Sequence, residues 1–245
     1  MIADVYTIIW KEWKEIVLQR GNVRAGLIGL AVFIAVFGIF LPLQTGRPWL
    51  EQPQVLVYWL WVPLLLVSTV TADSFAGERE RHTLETLLAS RLPDRAILFG
   101  KVAAAVAYGW GMTIASVLLG VVTVNATNRG GAFLFYPAWM ALAIPLLSLL
   151  GSGLAASAGT LISLRAATVR QAQQTISMAV LAFFFIPVFG VQALPQAWRQ
   201  NLIGVFSGAS TTGVVLGAAA VLLVLDAILL AVSVARFQRP RLILD

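Results

Sequence analysis

Residues 138–164 read AWMALAIPLLSLLGSGLAASAGTLISL, a stretch of 27 residues without a single charged side chain. A membrane-spanning helix needs about 20 mainly apolar residues, so this stretch is long enough to cross a lipid bilayer. The uncharged run begins earlier, at Gly130, but its 35 residues are too few for two spans and a turn. We therefore expect one long helix over residues 138–164, with Pro145 inside it and residues 130–137 as an outer loop.

The rest of the chain has the same apolar character. Of its 245 residues, 59% are hydrophobic and 11% are charged, whereas soluble domains carry about 25% charged residues. Lipid must therefore cover much of the molecular surface. The chain has no cysteine and one histidine, which excludes disulfides and thiolate chemistry and leaves almost no imidazole for a metal site. We expect no metal in this chain.

The apolar stretches outside residues 138–164 predict five further spans, and six in all. The predicted spans are about 25–41, 55–72, 102–124, 138–164, 175–191 and 212–235. Residues 3–20 are too charged to span, yet Val5, Ile8 and Trp13 recur at helical spacing and predict an amphipathic helix in the membrane interface. That helix is either a passive anchor or a lever that touches a cytosolic partner. We expect an all-α integral membrane protein that forms one domain over residues 1–245.

The basic residues predict the orientation of these spans. If the N-terminus lies in the cytoplasm, 14 of the 17 Lys and Arg residues fall in cytoplasmic segments and 3 fall in outer loops. The cytoplasmic set is Lys11, Lys14, Arg20, Arg24, Arg79, Arg81, Arg91, Arg95, Lys101, Arg165, Arg170, Arg236, Arg239 and Arg241, and the outer set is Arg47, Arg129 and Arg199. Cytoplasmic loops of membrane proteins carry such an excess. We expect a multi-pass protein of the plasma (inner) membrane with both termini cytoplasmic, and no nucleic acid partner.

The segment between the second and third predicted spans, residues 76–96, mixes acidic, basic and leucine residues. Leu84, Leu87 and Leu88 are spaced i, i+3 and i+4, which gives a short helix one apolar edge. Pro93 ends that helix. A short amphipathic helix beneath a membrane bundle suits docking into a groove on another protein. The alternative is a solvated hairpin that merely joins two spans.

The sequence of this segment also resembles a known family. Residues 78–88, ERERHTLETLL, followed by Pro93 and Gly100-Lys101, resemble the cytoplasmic loop of ABC-2-type transporter permeases. The matching residues are Glu78, Glu80, Thr83, Glu85, Leu87 and Leu88. The resemblance implies that these residues, together with Arg79 and Arg81, form a coupling helix that contacts a separate ATPase subunit. It further implies the membrane subunit of an ABC exporter, with short re-entrant helices between the last two spans, where residues 192–210 carry a compatible apolar patch.

The energy source must then lie on another chain. The sequence lacks the GxxxxGK[ST] phosphate loop, because Gly100-Lys101 has no upstream glycine at the required spacing, so this chain cannot hydrolyse ATP by that route. We expect no catalytic activity and no cofactor here, with ATP and magnesium bound by an ABC ATPase present in two copies. One six-span subunit lacks the second half of a transport pathway, so we also expect a homodimer or a pair of permease subunits.

Aromatic residues recur in the second and fifth predicted spans. They are Tyr58, Trp59, Trp61, Phe183, Phe184 and Phe185. Aromatic side chains within spans usually pack against other helices. In the resembled family these two spans line the cavity of the dimer, which implies that some of the six contact a hydrophobic or amphipathic substrate.

Asp226 is the one clear charge inside a predicted span. An intramembrane carboxylate is a functional-site hypothesis by default. We favour a structural role, as a partner of a basic residue in an inner loop or as a neutral hydrogen-bonded acid. The alternative function is a stand-alone ion-coupled secondary transporter, which needs several such groups. An intramembrane protease needs a Ser-His pair, a metal site or two intramembrane aspartates, and the sequence fits none of these well.

Overall fold

The computed structural model describes residues 1–18, 23–128, 130–208 and 210–237. These residues form helices joined by turns, and six stretches of helix are long and apolar enough to cross a membrane. The predicted fold class, an all-α integral membrane protein with six spans, is confirmed. Parts of other predictions lie outside the described residues, namely the end of the N-terminal helix and the basic residues Arg20, Arg129, Arg239 and Arg241.

The helices follow one another with short connections, and a π-helical segment, Val36–Phe40, lies between the second and the third. They are α1 (Ile2–Leu18), α2 (Val23–Ala35), α3 (Leu41–Thr45), α4 (Pro48–Glu51), α5 (Val55–Glu80), α6 (Leu84–Leu88), α7 (Asp94–Thr127), α8 (Ala138–Ser163), α9 (Val169–Ala193), α10 (Gln196–Gly208) and α11 (Thr211–Arg236). The first span, Ile28–Thr45, combines the end of α2 with the π-helical segment and α3. The other five spans are α5, α7, α8, α9 and α11.

The segment predicted as a coupling loop is shorter than residues 76–96. Helix α5 does not end near Ala72 but continues to Glu80, and α7 begins at Asp94 rather than near Val102. Only residues 81–93 lie between the two helices, with α6 among them. The helices extend beyond their apolar portions because the charged side chains there have partners in the folded chain. We call the end of the bundle that carries α6 the α6 side.

Helix α1 lies against the α6-side end of α7. Ile8 is buried and fits over Gly100, where a Cβ atom would come within 2.5 Å of the Ile8 side chain. Only glycine permits this close approach. The opposite face of α1 exposes Ile2, Tyr6 and Trp10, which follow one another at four-residue spacing. An exposed apolar stripe next to a bundle of spans is typical of a helix that lies in the membrane interface.

Small residues bring α5, α7 and α8 together at the centre of the bundle. A Cβ atom at Gly159 of α8 would lie 2.1 Å from the hydroxyl of Thr71 on α5, and one at Gly109 of α7 would lie 2.3 Å from Val67 on α5. Gly151 of α8 likewise faces Leu60 of α5. Glycine at such contacts lets helix backbones approach closely within a membrane. The small residues of α8 therefore form a packing surface for α5.

The spans α9 and α11 lie at the edge of the molecule. In α8, 61% of the residues in the most apolar window are buried, against 6% in α9 and 17% in α11. Large apolar side chains therefore face outward along both helices. Surfaces of this kind must be covered by lipid or by another subunit.

Candidate coupling site

The α6 segment begins where α5 breaks. His82 has a positive φ of 55°, and its conformation ends the helix after Glu80. The backbone N–H of Thr83 then donates a hydrogen bond to the carbonyl oxygen of Glu78 at 2.9 Å. Leu84 is buried and Leu87 packs against the core, so the leucine edge of α6 faces the bundle. The side chain of Leu88 lies outside the described residues.

This break separates two glutamates that the motif places seven residues apart. On one continuous helix Glu78 and Glu85 would share a face, but Glu78 lies near the end of α5 and Glu85 lies in α6. The sequence spacing of seven residues, two helical turns, predicts a shared face, and the break after Glu80 shows that this prediction is wrong. Glu78 is 2% exposed, whereas Glu85 is exposed and forms no ion pair with any described residue. The acidic residues of the motif therefore occupy different environments.

Glu78 belongs to a buried ion cluster that joins three helices, formed by Lys11 and Glu12 of α1, Glu78 of α5 and Lys101 of α7. The Lys101 ammonium lies 2.8 Å from Glu12 Oε1 and 3.0 Å from Glu78 Oε1. The Lys11 ammonium lies 2.8 Å from the same Glu78 oxygen. We call these four residues the inner ion cluster. Glu78 is therefore paired with the N-terminal helix as well as with α7.

The geometry around Lys101 explains how a cation can be buried at the edge of the membrane. An ammonium group has three N–H donors, and three acceptors surround this one: Glu12 Oε1, Glu78 Oε1 and the carbonyl oxygen of Ser74 at 2.9 Å. The ammonium also lies 5.1 Å from the centre of the Phe75 ring, within the range of a cation–π contact. Its charge and its hydrogen bonds are thus satisfied, and the cluster ties α1 and α7 to the end of α5.

The next residues of the motif join α5 to the loop between α8 and α9. The Arg79 guanidinium donates to the carbonyl oxygens of Leu164, at 2.9 Å, and Ala166. These carbonyls follow the end of α8 and would otherwise lack partners. Glu80 Oε1 accepts a hydrogen bond from the backbone N–H of Val169 at 2.9 Å. Both ends of the α8–α9 connection are therefore fixed to α5.

Arg81 instead turns back along its own helix. Its two terminal nitrogens donate to the two carboxylate oxygens of Asp73 at 3.1 and 3.2 Å. The pair passes over Gly77, where a Cβ atom would come within 2.0 Å of the Asp73 carboxylate. Glu80 and Arg81 are exposed but bonded within the chain, and the further exposed residues of the motif are His82, Thr83, Glu85 and Thr86.

A hydroxyl from α8 bonds to the backbone of α5 immediately before this segment. Ser163 Oγ accepts hydrogen bonds from the N–H groups of Phe75 at 3.1 Å and Ala76 at 3.0 Å, and donates to the carbonyl oxygen of Ala72 at 3.1 Å. In a regular α-helix the Ala76 N–H bonds to the Ala72 carbonyl. A side chain inserted between them is a recognised cause of helix bending. The Ser163 hydroxyl contacts α5 between its apolar part and the part that carries Glu78.

Sequence reasoning missed Glu12, Ser163 and the role of Lys101. A signal existed for Lys101, because Gly100-Lys101 is part of the resemblance to the permease loop: Gly100 admits Ile8 of α1, and Lys101 binds Glu12 beside it. Ser163 carried no such signal, since a serine at the end of an apolar stretch is ordinary.

The six aromatic residues of the second and fifth spans do not share one cavity in a single chain. Trp59 is fully buried and packs edge-on against Trp49, with ring centres 5.7 Å apart, so it has no face for a substrate. Trp61 packs against Phe184 at 3.9 Å. Phe183 lines an apolar cavity between α5, α8, α9 and α11. The two that remain, Tyr58 and Phe185, are exposed at 45% and 49%.

Asp226 lies where α11 packs against α8. The side chain is 8% exposed, and a Cβ atom at Gly153 of α8 would lie 2.8 Å from its Oδ2 atom. Its Oδ1 atom has no hydrogen-bond partner, and no basic side chain of the described residues forms an ion pair with it. The predicted pairing with a basic residue of an inner loop is therefore not found in the part of the chain that the structure describes.

Comparison with known proteins supports the resemblance noted in residues 78–88. The family described as "ABC-2 family transporter protein" matches residues 51–207. This range contains α6, the two helices on either side of it, and the α8–α9 connection that Arg79 and Glu80 hold. No curated protein and no solved structure matches the chain. Because the family match extends over more than half of the sequence and includes the coupling segment, the chain belongs to the ABC-2 family of transporter proteins.

Proposed function

We propose that this chain is the membrane subunit of an ATP-driven exporter whose motor is a separate ABC ATPase. The family supplies the general function, a permease of an ABC transporter. The sequence has no phosphate loop, so ATP and magnesium bind the motor, which is present in two copies. Two copies of this chain form the pathway, and the substrate is hydrophobic or amphipathic.

The observation that carries this proposal is the contrast between Glu85 and its neighbours. Glu85 is exposed on α6 and has no ion-pair partner among the described residues, while Glu78, Arg79 and Glu80 are bonded into α1, α7 and the α8–α9 connection. A segment with one exposed acidic side chain for a partner, and several side chains bonded to other helices, can transmit a displacement from the partner to those helices. Glu85 contacts a basic groove of the motor in this proposal.

The anchors define the route by which movement of the motor reaches the spans. Displacement of α6 pulls on the end of α5, and the inner ion cluster carries the displacement to α1 and α7. Arg79 and Glu80 carry it to the start of α9. The Ser163 hydroxyl, which offers alternative hydrogen bonds to the α5 backbone, lets the last turns of α5 change direction relative to its membrane part. Access to the pathway then alternates with ATP binding and hydrolysis on the motor.

Charge reversal at Glu85 tests the proposal. Losing a desolvated charge at an interface costs about 2–5 kcal/mol of binding energy, so Glu85→Lys is expected to weaken co-purification of the ATPase or to uncouple its hydrolysis from transport. The matched control is Glu51→Lys, because Glu51 is an exposed glutamate near the opposite end of the bundle. Both variants are expected to insert normally into the membrane.

Charge reversal at Glu78 should affect the stability of the protein, unlike charge reversal at Glu85. Glu78→Lys places a third cation beside Lys11 and Lys101 and is expected to lower stability, whereas Glu85→Lys is expected to change only binding and coupling. If charge reversals at Glu78, Glu80 and Glu85 all bind and couple as the original protein does, α6 is only a connector and the proposal fails.

A stand-alone ion-coupled secondary transporter is the second candidate function, and Asp226 is the observation that favours it. Its carboxylate is buried, with one oxygen unpartnered, and a carboxylate of this kind can bind a coupling proton or ion. Transport by the purified chain alone in vesicles, driven by an ion gradient and abolished by Asp226→Asn, would establish this function. No co-purifying ATPase would then be expected.

A further inference from the structure

A cavity with a basic floor opens between the α6-side ends of α8, α9 and α11. Its volume is about 460 Å³. The polar residues that line it are Arg165, Gln171, Thr175 and Arg236, and the apolar wall includes Ile162 and Val232. Arg236 is the last residue of α11, and Arg165 follows the end of α8 by two residues. The cavity therefore lies at the level where the spans leave the membrane.

Nothing in the described chain neutralises the two arginines of this cavity. Arg165 and Arg236 are both exposed, and no acidic side chain among the described residues forms an ion pair with either. Gln171 uses its carbonyl oxygen to accept a hydrogen bond from Ala167 N–H, which leaves its amide hydrogens as donors. Two guanidinium groups and an amide thus offer donors to an anion, and planar guanidinium groups suit phosphate oxygens especially well.

An apolar cavity lies next to the basic one. A second cavity of about 250 Å³ lies between the same three helices and α5, and it shares Ile162 with the first. Its lining includes Ala158, Ala179, Phe183, Leu225 and Leu229. On α11, Leu225, Leu229, Val232 and Arg236 follow helical spacing along one face, over about 16 Å at 1.5 Å per residue. Together the cavities form a groove that is basic at the membrane surface and apolar within.

We infer that this groove binds an anionic amphiphile from the leaflet on the α6 side, with its phosphate on Arg165 and Arg236 and its hydrocarbon chain along Leu225, Leu229 and Phe183. Basic pockets between spans on the cytoplasmic side are suited to acidic lipid headgroups. A free phosphate ion would match the arginines alone, whereas a lipid matches the whole length of the groove. The site does not depend on ATP or on a partner chain, so it stands or falls separately from the proposed function.

Native mass spectrometry of the purified full chain in detergent tests this inference. The probes are phosphatidylglycerol, phosphatidylcholine and inorganic phosphate. We expect phosphatidylglycerol to bind about tenfold more tightly than phosphatidylcholine, because only the acidic headgroup gains from both arginines. Excess inorganic phosphate is expected not to displace it. Displacement by inorganic phosphate would show an anion site without a chain site and would overturn the inference.

Matched variants locate the binding. Arg165→Gln with Arg236→Gln is expected to remove the preference for phosphatidylglycerol. Arg91→Gln with Arg170→Gln removes two exposed arginines from the same side of the bundle and is expected to keep it, since neither residue lines the cavity. Ala179→Trp, which fills the apolar part, is expected to weaken lipid binding with both arginines intact. Equal loss of the preference in the two arginine doubles, or unchanged binding in Ala179→Trp, would overturn the inference.

Discussion

At the residue scale, Lys101 is the cation that holds α1, α5 and α7 together on the α6 side. A buried ion pair is weak evidence of stabilisation in itself, but removing one partner costs about 3–5 kcal/mol because the other charge stays buried and uncompensated. Lys11 still contacts Glu78 when Lys101 is lost, so the lower end of that range applies. Lys101→Met is therefore expected to destabilise the protein by about 3 kcal/mol. The measurement is the thermal unfolding midpoint in detergent.

Lys14→Met is the control for this variant. Lys14 is an exposed lysine on the same side, and its ammonium lies 5.2 Å from the centre of the Trp10 ring rather than in the inner ion cluster. We expect its midpoint to stay close to that of the original protein. Protease cleavage within α1 should also increase in Lys101→Met alone, because Glu12 loses its partner on α7. Equal midpoints for the two variants would show that the cluster does not hold α1 in place.

Unlike Lys101, Asp226 is buried without a charged partner among the described residues, and it lies beside Gly153. Asp226→Asn keeps the shape of the side chain and removes the charge. We expect this variant to assemble normally and to reduce transport by the reconstituted complex at most modestly. Gly153→Val is expected to weaken assembly, because its Cβ alone would lie 2.8 Å from Asp226 Oδ2. Complete loss of transport in a normally assembled Asp226→Asn protein would instead favour a coupling-ion role.

The residue pattern located the charged coupling segment, but it did not show which of its charged side chains are buried. Glu78 meets Lys101 across 23 residues and Lys11 across 67. Those contacts depend on the packing of α1 against α7. The spacing of residues within a short segment does not predict such long-range packing. Helical periodicity alone places Glu78 and Glu85 on one face, and it fails because the positive φ of His82 lies between them.

At the scale of elements, α5 is a helix whose backbone bonds to a side chain of another span. Ser163→Ala would remove the acceptor shared by the N–H groups of Phe75 and Ala76. Leaving a buried donor unsatisfied costs about 1–3 kcal/mol, although the carbonyl oxygens within α5 recover part of it. We expect faster hydrogen exchange of the Phe75 amide and weaker coupling between ATP hydrolysis and transport. Hydrogen-exchange mass spectrometry on peptides within residues 68–81 measures the first effect.

Ser152→Ala is the matched control on the same helix. Ser152 is equally buried, but its hydroxyl donates to the carbonyl oxygen of Ser148 within α8 and does not bond to α5. Exchange within residues 68–81 should not change in this variant. If Ser152→Ala and Ser163→Ala have the same exchange rates in α5, the inserted hydroxyl does not determine the behaviour of that helix.

Hydropathy located all six spans, and the largest differences at their ends are in the second and third spans. The predicted second span stopped near Ala72 because Asp73, Glu78 and Glu80 follow it, and charged residues normally mark the end of a span. The helix continues because each of these carboxylates has a partner: Arg81 for Asp73, the two lysines for Glu78, and the Val169 N–H for Glu80. Element ends thus depended on tertiary contacts that composition does not reveal.

At the scale of the whole molecule, the arrangement of spans is asymmetric. Helices α5, α7 and α8 form the packed centre, while α9 and α11 expose large apolar side chains such as Phe185, Ile186, Leu216 and Leu223. A water-soluble protein could not present such faces. One side of this exposed surface is available to a second copy of the chain in the proposed dimer, and lipid covers the rest.

The last prediction concerns the side of the membrane on which α6 lies. The excess of basic residues at the α6 side predicts that this side is cytoplasmic, and the proposed motor can reach α6 only from there. Because the chain has no cysteine, single introduced cysteines report on sidedness without background. We expect Arg47→Cys to react with a membrane-impermeant maleimide in intact cells, and Arg170→Cys to react only after permeabilisation. Both positions are exposed, so a failure to react reflects the membrane rather than burial.

Reporter fusions give an independent check of the same topology. A fusion after residue 245 should report the cytoplasm, and an insertion at Gly46 should report the outer side. Gly46 is suitable because it lies in the turn after α3 and a side chain added there would meet no neighbouring atom, whereas Trp49 and Leu50 nearby are buried. If both reporters indicate the same side, the number of spans is odd and the six-span topology is wrong. If both methods give the reverse orientation, α6 faces outward, and no cytoplasmic ATPase can act on Glu85.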